Sequence, residues 1–151
     1  MTPPTPAPRG RRSAGIRLLR PEEISEQVRT TFDAIARRAF EIFQGNGGHS
    51  GNALDDWFRA EAELFHPTPV ELAESDNVLT LKAGVPGFTE KDLRISIEPG
   101  RVTITGKRAV NSTRVNEIFR IIDLPKRVDP ESHGIAATCN KGMLTITLPE
   151  V

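Results

Sequence analysis

The chain has 151 residues, room for one ordinary domain or for a small domain with an appendage. Its 20 Lys and Arg balance its 20 Asp and Glu, which gives no electrostatic case for nucleic acid or an anionic membrane and leaves little self-repulsion against association. The single cysteine, Cys139, excludes an intrachain disulfide and cannot anchor a zinc site by itself, and no run approaches the ~18 apolar residues of a membrane span.

Residues 1–20 open with MTPPTPAPRGRRSAG, rich in Pro, Gly and Arg. Such a segment buries too little surface to offset its ordering entropy and is expected to be a disordered arm. Arg9, Arg11 and Arg12 are read as a solvated linker rather than a phosphate-binding tail. No apolar h-region is present, so a signal peptide is not expected and the cytoplasm is the default location.

Residues 21–65 read as helical. Pro21 suits a first helical position, and Glu22 and Glu23 suit a positive helix N-terminus. Ile24, Val28, Phe32, Ile35, Ala39 and Ile42 or Phe43 recur at spacings of three and four, an amphipathic stripe. GNGGHSGN (45–52) must break it. Asn52 is then placed to cap a second helix that carries Trp57, Ala60, Glu61 and Leu64. The expectation is a helical hairpin whose stripe packs internally or onto residues 66–151, with Trp57 and Phe58 as its candidate partner contacts.

Residues 66–151 change period to two. The segments 70–75, 78–85, 93–99, 101–108, 117–125, 134–140 and 143–149 are β-branched or alternating. Turn residues bound them, among them Pro86-Gly87, Pro99-Gly100, Pro125 and Lys141-Gly142. Several short strands at this spacing predict a mainly β, immunoglobulin-like antiparallel sandwich. Alternation puts Leu93, Ile95 and Ile97 on one face of a strand and Ile135, Ala137 and Cys139 on one face of another. Gly142, between two strands, is expected at positive φ, and Arg120, among apolar neighbours, needs a carboxylate partner if buried.

Three stretches of this zone together resemble the α-crystallin domain of small heat-shock (Hsp20) proteins. VPGFTEKDLRISIEPGRVTITGKR (85–108) has the Pro86-Gly87 turn, a short acid-lysine-aspartate-leucine turn, two strands and a Gly-Lys-Arg end. FRIIDLPKRVDP (119–130) carries Arg120 at the family's strand arginine and Leu124-Pro125 ahead of a Val-Asp-Pro turn. ATCNKGMLTITLP (137–149) keeps Ala137, Gly142 and Leu144 at the signature spacing, with Lys141 and Met143 as substitutions. Residues 35–64 resemble a short bacterial domain of unknown function, DUF2934-like, which implies no activity.

The resemblance implies an ATP-independent chaperone, a holdase that binds non-native client proteins without a cofactor. It places the client groove between the strands holding Leu93, Ile95, Ile97, Ile135, Ala137 and Cys139. An extended segment can add there through main-chain bonds. The same alternation is that of plain core, and a sandwich edge lets one residue do both. The family's Ile-x-Ile tail is not found before Val151, so the groove is expected open and large cages are not. The short 109–116 loop offers little reach for strand exchange. A homodimer or small homo-oligomer formed another way is expected.

No catalytic or metal constellation is legible. His49, His66 and His133 have no ligand partner at i+3 or i+4. Asp55-Asp56 and Glu61-Glu63 read as a solvated helix face, and Cys139 as buried and inert. The competing reading is a non-chaperone interaction module with one dedicated partner.

Overall fold

The computed structural model describes residues 15–45, 47, 53–65 and 68–151. Arg9, Arg11, Arg12, His49, Asn52 and His66 lie outside them. Elements run β1 (Arg17–Leu19), α1 (Pro21–Gly45), α2 (Ala53–Leu64), β2 (Val70–Ser75), β3 (Val78–Gly84), β4 (Leu93–Glu98), β5 (Arg101–Asn111), β6 (Arg114–Asp123), β7 (Ala136–Asn140) and β8 (Met143–Pro149).

Two four-stranded sheets, ordered β1-β4-β5-β6 and β2-β3-β8-β7, make the sandwich. All pairings are antiparallel except β1 on β4, which is parallel. Every second residue points between the sheets. Leu79, Leu81, Ile95, Ile104, Leu144, Ile146 and Leu148 interlock there and are nearly or fully buried. Full burial of each such side chain is worth ~1.5–3 kcal/mol, so this shared interior holds the two layers together.

Turn chemistry fixes the registers. Asp76 (φ 52°) with Asn77 (φ 63°), and Lys141 (φ 51°) with Gly142 (φ 77°), put positive φ at both central hairpin positions, the turn whose twist matches antiparallel strands. Thr89 opens the single turn before β4, where its backbone N–H donates to the Asp92 carboxylate at 2.8 Å.

The helices follow the sequence expectation. Arg20 N–H donates to Glu23 Oε1 at 2.6 Å at the start of α1. The helices stop at Gly45 and resume at Ala53, either side of the glycine-rich stretch. Ile35, Ile42 and Ala60 form a small core of their own, with Ala39, Trp57 and Phe65 against it. Arg38 bridges to Glu63 of α2 at 2.6 Å. That contact holds the Arg38 guanidinium above, and the Glu63 carboxyl below, its ordinary range. α1 lies against the outer face of the first sheet, where Ser96, Thr103 and Thr105 are buried.

Three expectations need correction. The arm does not stay free to residue 20: Ile16 is buried and Arg17–Leu19 is a strand, because alternating apolar residues there meet an open sheet edge. The 109–116 segment, expected as a loop, is mostly strand, since β5 and β6 extend into it and turn through Ser112 and Thr113, with Asn111 Oδ1 accepting from the Thr113 backbone N–H at 2.9 Å. Asp56 is buried rather than solvated. Arg120 is exposed, so the condition that would require a carboxylate is not met, and it donates to the Thr68 carbonyl at 3.2 Å.

Gly142→Ala should lower stability by roughly 1–3 kcal/mol in urea unfolding, because a Cβ there is strained at this φ and meets Pro86 Cα at 3.2 Å. Gly100→Ala, with nothing within 4 Å, should stay within about 0.5 kcal/mol of the parent.

Candidate functional site

The six residues expected of a groove lie on β4, on β7 and just before β7. Leu93, Ile95, Ile97, Ile135 and Ala137 are buried in the sandwich core, and Cys139 packs against it half-exposed. Their place in the core is the one that their alternation also allowed.

β1 closes the β4 edge beside them. Leu18 pairs in register with Ile95, and Leu19 with Ser96. Ile16, two residues before Leu18, joins the same apolar cluster as the six rim residues, and Leu18 packs against it. The β4 edge, expected free, is thus covered by the chain's own extended segment. Fully burying Ile16 contributes ~1.5–3 kcal/mol. The half-buried Leu18 and each ladder hydrogen bond add about 0.5–1.5 kcal/mol. Ordering the four residues 16–19 costs ~4–8 kcal/mol of backbone entropy. Gains and cost are of the same size, so the strand is held marginally. An Ile-x-Leu alternation between Gly15 and Pro21 was the available sign of it, and the Pro- and Arg-rich composition ahead of it masked the signal.

At the far end of the rim, Cys139 is tied in from two sides. Its backbone N–H donates to Glu90 Oε2 at 3.3 Å and its Sγ lies 3.8 Å from the Phe88 carbonyl. Burial, then the charges of Glu90 and Asp92, push the thiol pKa up. That disfavours thiolate and nucleophilic chemistry.

A second surface lies where the helices meet β6. Phe32, Phe58, Phe65, Phe119 and Ile121 line a cleft of about 520 Å³ with Arg120 at its side. Phe32 stands edge-on to both Trp57 and Phe119, at 5.9 Å each. Of the two expected partner contacts, Trp57 is half-buried in this packing, while Phe58 is 55% exposed. Phe40 (58% exposed) stacks on Phe43 at 6.3 Å, and Leu54 and Leu64 are also exposed. The stripe of α1 is wider than its partners cover: Ile24, Ile35 and Ile42 go in, and Phe32 and Phe43 stay out. Helical spacing alone did not separate the two groups. Among the described residues no group of His, Cys, Asp and Glu could hold a metal, and no helix is long and apolar enough to cross a membrane.

A two-layer antiparallel sandwich with the Pro86-Gly87 turn, the Leu124-Pro125 strand end and the Gly142-x-Leu144 hairpin defines an α-crystallin-type domain. The Hsp20/alpha crystallin family matches residues 71–151, and the chain belongs to that family. The family is one of non-enzymatic chaperones whose members bind non-native proteins and form oligomers. Residues 32–65 match DUF2934, a family of unknown function. Similar proteins include spore protein SP21 of Stigmatella aurantiaca, 31% identical over 62% of this chain and 62% of its own length. Another is a 17.6 kDa class I heat shock protein of Glycine max, 29% identical over 60% of this chain and 66% of its own. These matches span just under two thirds of each relative. A crystal structure of an hsp14.1 mutant from Sulfolobus solfatataricus P2 shares the fold, with a TM-score of 0.53 and 22% identity over 60% of this chain and 80% of that one.

Because the Cys139 thiol pKa is raised, its alkylation by iodoacetamide should be slower than that of a free thiol at pH 8. Its rate should climb at higher pH than the free thiol's, as a rate–pH profile on the native protein will register.

Proposed function

We propose that this chain is an ATP-independent holdase that captures partly unfolded proteins and limits their aggregation. The observation that carries the reading is the amount of aromatic surface left uncovered on the helical hairpin. Residues 32–65 hold the only Trp and five of the seven Phe of the chain. Phe32, Phe40, Phe43 and Phe58 are each more than a third exposed, with Leu54 and Leu64 beside them in sequence. Large exposed apolar surface on a soluble scaffold marks an interaction site. Several separate rings, each offering one modest contact, suit weak and repeated capture of unlike chains better than one shaped partner. The DUF2934-like segment then has a role: it supplies exposed aromatic rings to a sandwich whose own exposed apolar residues, Leu72, Val110, Val115 and Met143, are aliphatic.

The groove residues Leu93, Ile95, Ile97, Ile135, Ala137 and Cys139 serve as a second seat when the β4 edge is free. The working form is a homodimer or small homo-oligomer in the cytoplasm. The two-residue tip between β5 and β6 leaves no loop to exchange, and among the described residues β6 has no strand on its outer side.

The full chain should suppress aggregation of several unrelated heated proteins without ATP at near-stoichiometric ratios. Protection of none of them, with recovery of one partner from cell extract, would establish a dedicated interaction module instead. Phe40→Ser with Phe58→Ser should lower protection several-fold while the urea midpoint of the sandwich stays unchanged. Light scattering should give a small assembly; a large uniform particle would count against the proposed oligomer.

A further inference from the structure

We propose that the crevice between α1 and the first sheet is a binding site for a small phosphate ester carrying hydroxyl groups, of the sugar-phosphate class. The site is separate from the rim and from the exposed rings of the hairpin, and it stands whether or not the chain is a holdase.

Three observations carry it. First, the crevice is roomy and polar on both walls. It measures about 560 Å³, within the range of small-molecule sites. α1 turns Gln27, Thr30 and Thr31 to it, three and four positions apart, so the helix meets the sheet here with a polar face. Opposite stand Arg94 of β4 and Thr105 and Lys107 of β5. Arg94 and Thr105 are register partners, and Lys107 follows Thr105 on the same face of the sheet. No apolar side chain lines either wall, so no hydrophobic contact draws the two together.

Second, the crevice holds an unanswered hydroxyl. Thr105 is 1% exposed, and its Oγ1 has no hydrogen-bond partner. A buried hydroxyl costs stability until a partner reaches it. Thr105 lines the crevice, so a ligand oxygen seated there supplies that partner.

Third, the charge left over is positive. Glu23 Oε1 accepts the Arg20 backbone N–H at 2.6 Å, Glu26 Oε1 pairs with Arg29 at 3.0 Å, and Asp92 Oδ2 accepts the Thr89 backbone N–H at 2.8 Å. Among the described residues the side chains of Lys91, Arg94 and Lys107 make no hydrogen bond or ion pair, against one uncommitted carboxylate, Glu117.

Three free cations beside one free carboxylate select an anion. A guanidinium fork and ammonium groups suit phosphate oxygens, and the Gln27, Thr30 and Thr31 side chains across the gap suit ligand hydroxyls. No aromatic ring lines the crevice, so a nucleobase finds nothing to stack on. The phosphate therefore sits on Arg94 and Lys107, and the sugar lies between Thr105 and α1. A ligand so placed ties the helix to the sheet.

The probe is glucose 6-phosphate, titrated into the full nitrogen-15-labelled chain and followed by NMR, with inorganic phosphate and glucose titrated separately. Glucose 6-phosphate should shift the amide signals of Thr31, Thr105 and Lys107. Inorganic phosphate should bind about tenfold more weakly, and glucose more weakly still. Arg94→Gln with Lys107→Gln should weaken binding of the ester about tenfold or more. Lys82→Gln with Arg127→Gln makes the same change of charge away from the crevice and should leave binding within about twofold. Thr105→Val should weaken binding about threefold to tenfold and keep or raise the urea midpoint, since it removes the orphan hydroxyl. A purely structural Thr105 would move the midpoint and leave binding alone. No shift at millimolar glucose 6-phosphate would overturn the site. So would equal losses in the two double variants, which mark diffuse charge attraction. Equal affinity for inorganic phosphate and the ester would overturn it too, because the hydroxyl half would then do nothing. Should Thr105→Val fail to fold, the two double variants, built on exposed residues, still decide.

Discussion

Two sheets are held together here by one repeated act: every other residue of six strands turns inward and loses its contact with water. Leu79, Leu81 and Ala83 on β3 face Ile95, Ile97, Val102 and Ile104 across the interior, and Leu144, Ile146 and Leu148 on β8 close it. Everything else is hung on that interior. The hairpin turns set the registers that keep the alternation in phase. The edge of β4 exists as a seat because the interior reaches it, and β1 can dock only because Ile16 finds that interior open at one side.

Two kinds of apolar surface result, and they differ in how they are governed. On the rim, apolar side chains are already satisfied by the core. On the hairpin, Phe40, Phe43 and Phe58 stay exposed. The chain places the two towards opposite ends of α1: β4 lies near its beginning and Phe40 and Phe43 near its end.

Much of this was legible from the residues. Period-two alternation located the strands, and 70–75 and 143–149 match β2 and β8 residue for residue. Gly142 was recognisable as a positive-φ position because it stands between two such runs. The alternation of Leu93, Ile95 and Ile97 and of Ile135, Ala137 and Cys139 allowed both core and groove, since alternation states which face a side chain takes and says nothing of what covers that face. Residues 16–19 were lost to composition: four apolar or basic letters after a proline-rich run look like a tail until an unpaired edge is known to wait for them. The sequence left the burial of Arg120 open, and an edge strand lets its long side chain leave the sheet and reach the Thr68 carbonyl.

The helical hairpin keeps an interior separate from that of the sandwich, and it is a small one, built among the described residues on Ile35, Ile42 and Ala60. A body stitched by so few side chains softens on warming before a body stitched by two interleaved sheets. Warming would thus loosen the aromatic half while the β half keeps its shape.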